Sequence, residues 1–338
     1  MALVGAPDFY QNRLVLVTGG TGFIGRRLVA ALQARGARAR VLVRPDRVIP
    51  MEWSSLETIV GDLADTASLA RACAGIDTVI HAAGFAHADA GDIVDFADRH
   101  WAINTHGTFQ LLDAAVAAGV RRFGFVSSIK AVGDPGPHCV DESWEAPPAT
   151  SYGLAKRAAE ERVLAVGRES GLHAVNLRPA LVYGSGMKGN LARLITAVQR
   201  GVFPPLPETG NRRSLVHVDD VAQAVLLVVA HPAAAGQSYF VTDGQPYSGR
   251  ELYAMTCQAL GRSVPRWSAP ASLLHAAATL ADSGLWLTGR RERRAASALD
   301  KLLGWACYDA TRIRQELGYC PAWTFQRYCE TELQKRRK

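Results

Sequence analysis

Tyr152 and Lys156 stand four residues apart in the run SYGLAK, Ser151 to Lys156. On a helix that spacing puts a phenol and an ammonium on the same face. A phenol ordinarily titrates at about 10. A lysine charge and a bound nicotinamide beside it favour the phenolate, which makes Tyr152 usable as a proton donor or acceptor near neutrality. Ser127 and Ser128 close a separate strand-like run from Arg122 to Ser127, and the Ser128 hydroxyl can hydrogen-bond the reacting oxygen. A tyrosine and lysine at this spacing also occur on ordinary surface helices, so the reading depends on what accompanies them.

What accompanies them is a glycine turn near the start of the chain. Leu14 to Val17 reads as a buried strand, and Gly19, Gly22 and Gly25 then open a helical run with Ile24, Leu28, Val29 and Leu32 on its apolar side. Strand, glycine turn and helix N-terminus together make an anion site: free amides and the helix dipole face a phosphate, and the absence of Cβ atoms lets the backbone approach it. The pattern is GxxGxxG rather than GxGxxG, with Phe23 and Ile24 inside the turn, and it points to dinucleotide binding. Ala39 to Arg44 is the second strand. Arg44 at its end suits a 2′-phosphate and favours NADP over NAD, while the nearby Asp46 keeps the ribose-binding alternative open. Asp62 is placed to accept from the adenine amine with Leu63 packed beside the ring. Ala82, Ala83 and Gly84 are small enough to admit a cofactor at the end of the strand Thr78 to His81.

The elements that position these residues alternate regularly. A helix carries Asn104 and runs to Ala118, another spans Tyr152 to Val166, and Ala174 to Leu177 is a strand. Strands alternating with helices imply an α/β fold, a doubly wound parallel sheet of Rossmann type covered on both faces. After Pro179 the alternation weakens, and the segment Gly201 to Asn211 is rich in proline and turn residues. Residues 1–178 therefore read as the NAD(P)-binding domain, with 214–238 returning to it. Residues 179–213 and 239–338 read as a smaller, interdigitated C-terminal substrate lobe.

Composition bounds the function further. The 338 residues are 48% hydrophobic and 20% charged, with a formal charge of +7. The basic residues are scattered apart from Arg290 to Arg294 and the terminal KRRK, with no nucleic-acid-binding motif beside them, so an anionic small substrate accounts for the balance. Cys73, Cys139, Cys257, Cys307, Cys320 and Cys329 show no metal-ligand spacing, and no secretion signal is visible, so reduced thiols and a cytoplasmic location are expected. His81, His87, His100, His106 and His217 form no metal set; His81, at a strand end, reads as a packed or hydrogen-bonded residue. The apolar stretch Ala269 to Leu287 is interrupted by His275 and Asp282, and reads as an amphipathic helix of the small lobe rather than an integral membrane segment.

With TGGTGFIG (Thr18 to Gly25), GDL (Gly61 to Leu63), HAAG (His81 to Gly84), SSIKAVG (Ser127 to Gly133), SYGLAK, LRPALVYG (Leu177 to Gly184), GMKGN (Gly186 to Asn190) and RRSLVHVDD (Arg212 to Asp220) in place, the chain resembles the extended short-chain dehydrogenase/reductase family, in its nucleotide-sugar epimerase and reductase branch. The resemblance implies that Ser128, Tyr152 and Lys156 are catalytic, and that Asn104 positions the active-site helix and supports the lysine. It implies cofactor contacts at Ser127 as well as at the turn residues. Asn190 and Arg213 match positions that contact a nucleotide diphosphate, with Lys130, Tyr183, Lys188 and His217 as further substrate candidates. Arg178 departs from an asparagine of the better-known epimerases, and either salt-bridges or narrows the pocket. The late diphosphate-binding arginine has no clear counterpart; Lys301 is near its place.

Dehydratases of the family follow the active-site hydroxyl residue with an Asp-Glu pair, whereas Ile129 and Lys130 stand here, so elimination chemistry is not expected. The wording of the motifs resembles bacterial reductases of UDP-4-keto-6-deoxy-N-acetylhexosamines, which serve surface-polysaccharide synthesis. The expectation is thus an NAD(P)H-dependent 4-keto reductase acting on a UDP-linked sugar, without metal. The alternatives are a 4-epimerase that retains its NAD, and, more remotely, a dinucleotide-binding sensor without turnover. The resemblance also implies a homodimer built on the helices around Asn104 to Ala118 and Tyr152 to Val166.

Overall fold

The computed structural model describes residues 9–54, 56–85, 94–287 and 294–337. His87 and most of the arginine run at 290–294 lie outside them. In chain order the elements are β1 (Leu14–Thr18), α1 (Phe23–Gln33), β2 (Arg38–Val43), β3 (Glu57–Val60), α2 (Thr66–Cys73), β4 (Thr78–His81), α3 (Val94–His100), α4 (Gly107–Ala117) and β5 (Arg122–Val126). There follow β6 (Cys139–Val140), α5 (Ser151–Ser170), β7 (His173–Pro179), β8 (Leu181–Tyr183), α6 (Asn190–Arg200), β9 (Arg213–His217), α7 (Val218–Ala230), β10 (Ser238–Val241) and β11 (Pro246–Tyr247). The chain ends with α8 (Gly249–Ala259), α9 (Ala271–Leu287), α10 (Arg294–Leu303), β12 (Cys307–Tyr308), α11 (Thr311–Leu317) and α12 (Phe325–Tyr328).

Among the described residues the main sheet has seven strands in the order β10-β7-β5-β4-β1-β2-β3, all parallel. This is the doubly wound arrangement the alternation implies. Period-two side-chain direction explains the near-continuous apolar strands. Val15 and Val17 of β1 pack with Leu28, Val29 and Leu32 of α1 and with α7. Leu16 between them packs on the other face with Leu69 of α2, Leu111 of α4 and Val163 of α5. A separate core, with Tyr183, Leu194, Leu215, Leu252 and Phe325, belongs to the C-terminal lobe.

Two boundaries differ from the sequence division. The sheet takes β10 as its edge strand, so the return to the N-terminal half runs through Val241 rather than ending at 238. Part of the tail, including Tyr308, Ile313 and Leu317, packs on that same core. Asn104 lies in a π-helical turn, Trp101–His106, wedged between α3 and α4 rather than inside one regular helix. The expected helix over the apolar late stretch forms as α9, and no helix among the described residues is long and apolar enough to cross a membrane.

Cys139 and Cys307 form a disulfide across 168 residues. This corrects the expectation that all six cysteines are reduced thiols; Cys73, Cys257, Cys320 and Cys329 are free. The cause is a two-stranded parallel pairing of β6 with β12 that sets the two cysteines opposite each other, a contact that no sequence spacing encodes. Disulfides persist in oxidising surroundings, so the pair also removes the argument for a reducing compartment. A dithiol, or the paired substitution Cys139→Ser/Cys307→Ser, is expected to reduce unfolding free energy by about 2–4 kcal/mol, read as a lower urea midpoint with a steeper slope because the unlinked unfolded chain is less compact. Equal midpoints with and without the bond would show that the link does not hold the fold.

Candidate functional site

The site lies along the carboxyl ends of β1, β4 and β5, where open parallel sheets receive ligands. At β1 the chain turns through Gly19, whose φ of +73° favours glycine. A Cβ there would lie 2.5 Å from the Ala83 nitrogen, so the turn rests directly on the backbone at the end of β4. Gly25, in the first turn of α1, would drive a Cβ to 2.0 Å from the Gly19 carbonyl oxygen. These contacts pull α1 over the turn, and Gly22 caps it without any side-chain hydrogen bond, leaving the first amides to a ligand. Ala82, Ala83 and Gly84 complete this wall. The Ser127 hydroxyl, buried at the end of β5, has no hydrogen-bond partner. A thin wall of glycine and alanine, uncapped amides and an orphaned hydroxyl fit a nicotinamide dinucleotide.

Around this cradle the other cofactor candidates vary. Arg44 is exposed just past β2 and pairs with Asp46 at 3.1 Å, so cation and carboxylate sit together at the expected ribose position. Asp62 accepts the Ala64 amide at 3.0 Å and closes its own turn, with Leu63 packed beside Gly107.

The catalytic candidates converge on α5. Thr150 caps this helix by accepting the Gly153 amide at 3.1 Å, which fixes Tyr152 in its first turn. One turn on, Lys156 is buried; its Nζ donates to the Val126 carbonyl at 3.1 Å and lies 4.5 Å from the Phe125 ring centre. Ser128 has extended backbone, accepts the Lys130 amide at 3.2 Å, and hydrogen-bonds toward Tyr152. Asn104 clamps the backbone of Phe85, accepting its amide at 2.8 Å and donating to its carbonyl at 3.0 Å. Gly84 admits this arrangement, since a Cβ would meet Asn104 Oδ1 at 3.0 Å and Lys156 Nζ at 3.4 Å.

The electrostatics follow from burial. Desolvation lowers Lys156 to about 8, opposed by the charge of Glu160. Tyr152 is raised by desolvation, with the Ser128 hydroxyl opposing. In the free protein the phenol is therefore neutral, and in that state it is a proton donor. His81 is pushed down to about 3 by burial and then by Lys156, and stays neutral between Thr18 Oγ1 at 2.6 Å and Thr108 Oγ1 at 3.0 Å. It is the packed, hydrogen-bonded histidine expected. No group of three or more metal-ligating side chains occurs among the described residues.

The substrate candidates do not assemble as expected. Tyr183 is fully buried in the C-terminal lobe, donating to Asp243 at 3.3 Å and stacked edge-on against Phe325. His217 is equally buried, lying 4.3 Å from the Trp323 ring and accepting the Asp219 amide. In this structure both side chains are packed into the C-terminal lobe rather than exposed to a cleft. Arg213 is half-buried and donates to the Gly304 carbonyl at 3.0 Å. Asn190 begins α6, while Lys130 and Lys188 are exposed. Arg178 is inward-facing and salt-bridged to Glu160, one of the two roles open to it. Sequence reasoning did not single out His100, whose ring edges Tyr152 at 5.4 Å and contacts the Asn104 amide at 3.2 Å. Its position four residues before Asn104 was the available signal.

Comparison with known proteins agrees with this architecture. The family described as NAD dependent epimerase/dehydratase matches residues 15–241. A UDP-glucose 4-epimerase of Vibrio cholerae is 30% identical over 334 residues, covering 94% of each chain. A 4-hydroxy-2-methyl-3-oxo-4-farnesyl-3,4-dihydroquinoline-1-oxide ketoreductase of Stigmatella aurantiaca is 32% identical over 317 residues, covering 92% of each. Among solved structures, MoeE5 in complex with UDP-glucuronic acid and NAD superposes with a TM-score of 0.74 at 26% identity, over 96% of this chain and 99% of that one.

Gly25→Ala tests the cradle. The added methyl must displace α1 from the turn, so dinucleotide affinity is expected to fall at least about tenfold, with a stability loss of roughly 1–3 kcal/mol. Titration calorimetry measures the first and thermal melting the second. A variant that binds as tightly as the parent would remove the turn from the site.

Proposed function

The chain belongs to the NAD dependent epimerase/dehydratase family, and from that premise we propose that it is an NAD(P)H-dependent 4-keto reductase of a nucleotide-activated deoxy-N-acetylhexosamine. The observation that carries the reading is the convergence of Ser128, Tyr152 and buried Lys156, with Ile129 and Lys130 where an eliminating enzyme needs its acid pair. When bound, the nicotinamide supplies two-electron redox chemistry at its ring. Ser128 orients the ketone oxygen by hydrogen bonding. Tyr152, a neutral phenol in the free protein, delivers its proton to that oxygen, and Lys156 beneath it stabilises the phenolate left behind. Ketone reduction needs a donor in this state at the outset.

A ketoreductase among the relatives supports net reduction. A 4-epimerase of comparable similarity supports the second reading, in which the same trio removes and returns hydrogen at one carbon. Exposed Arg44 supports NADP as the preferred dinucleotide. Exposed Val116 on α4 and Leu154 on α5 support a homodimer through those helices.

Incubation with UDP-4-keto-6-deoxy-N-acetylglucosamine and NADPH should consume reduced nicotinamide in proportion to product. Interconversion of UDP-hexoses without added reductant, and no NADPH oxidation, would overturn the choice of reductase. Tyr152→Phe should lower turnover about 10²–10⁴-fold while dinucleotide affinity stays near that of the parent. Full activity in that variant would sink the mechanism itself. Arg44→Ala should remove at least about tenfold of any preference for NADPH over NADH, the loss expected for one charge-assisted contact to a phosphate.

A further inference from the structure

Glu160 follows Lys156 by one helical turn, on the side of α5 that packs against β7. Its carboxylate is almost completely buried, at 2% side-chain exposure, and Arg178 on β7 is 8% exposed. Three hydrogen bonds join them: Arg178 Nε donates to the two carboxylate oxygens at 2.9 and 3.1 Å, and Nη2 donates at 2.6 Å. Asn176, two residues earlier on the same strand, donates to the Glu160 carbonyl at 3.3 Å. Burying two charges is costly and often no more stabilising than an apolar pair, so stability alone accounts poorly for their presence. Their location offers another account. β7 pairs in register with β5, whose last carbonyl, Val126, receives the Lys156 ammonium.

We propose that the Glu160–Arg178 ion pair is a positioning element for Lys156: Arg178 pins the carboxylate one turn behind the ammonium, and the pinned carboxylate keeps the lysine charged in a dry site. The proposal rests on the reading of Lys156 as part of the reacting trio. Lys156 sits among few other charges. On its own helix it has Tyr152 and Glu160. From β4 comes neutral His81; from α3 comes His100, by way of Asn104; from β7 comes Arg178. β5 contributes only the Val126 carbonyl and the Phe125 ring. Glu160 is the group that raises Lys156 against the effect of burial. Removing its charge strands Arg178 as an unpaired cation, and a like charge nearby disfavours a second ammonium.

The sign of each variant follows. A lysine with a lowered pKa loses its charge earlier as pH rises, so activity that needs the ammonium fails at lower pH. Glu160→Gln should therefore move the alkaline limb of kcat/KM down by about one pH unit or more. Arg178→Met leaves the carboxylate uncancelled and should move the limb up or leave it in place. The double variant removes both charges and should return the limb toward the parent position, between the two singles. The same order should appear without turnover in the free protein, in the 13Cε titration of the lysine signal that is absent from Lys156→Arg. Thermal melting of each variant reports folding separately. If both singles lose stability but keep the parental limb and the parental lysine titration, the ion pair is only a structural brace and the proposal fails. If the titration shifts as stated while activity does not follow, the positioning role stands and the assignment of Lys156 to the reaction falls.

Discussion

Backbone touching backbone at the ends of β1 and β4 is the constraint from which the site follows. Gly19 lies against Ala82 and Ala83, and Gly25 lies against Gly19, at separations that no Cβ tolerates. Because the turn is this thin, α1 starts close to the sheet with its first amides uncapped, and the neighbouring strand ends can carry only small residues. β4 then hands over to Gly84 and Phe85, which Asn104 clamps; Asn104 in turn sits in a π-helical turn packed against α5. Gly84 lies against Asn104 Oδ1 and Lys156 Nζ. The glycine cradle and the helix that carries Tyr152 and Lys156 are thus one connected arrangement rather than two sites that happen to be near each other.

The second organising feature is dryness. Lys156, His81, Glu160 and Arg178 are all buried polar groups, and each has its partner. Low local dielectric strengthens such contacts and makes an unpaired group expensive. That cost explains why the charges are arranged in sequence along α5 and β7: a neutral phenol, a lysine of lowered basicity, a carboxylate, and an arginine that closes the set.

Much of this was legible in the sequence because its signals are local. The glycine turn, the apolar strands and the i,i+4 pair Tyr152 and Lys156 each act over a few residues, and the parallel sheet follows from their alternation. What the sequence did not reveal depends on distant pairing. Cys139 meets Cys307 only because β6 and β12 come together. Tyr183 and His217 match substrate motifs in type and spacing, yet both turn inward against Phe325, Tyr328 and Trp323, residues more than a hundred positions later. Arg178 was conspicuous as a departure, but its role required Glu160 to be seen opposite it across the β7–α5 contact.

The link between Cys139 and Cys307 also changes the topology of the chain itself. It closes a covalent ring that contains α5, the strands β7 to β11 and the proline-rich crossing between α6 and β9. α5 and most of the C-terminal lobe's core belong to that ring, with Phe325 and Tyr328 beyond it, so a single backbone cut in any loop inside it opens the circle without releasing a piece. A nick within that span therefore leaves the two fragments joined through sulfur, so that Tyr152 and the C-terminal lobe remain on one molecule.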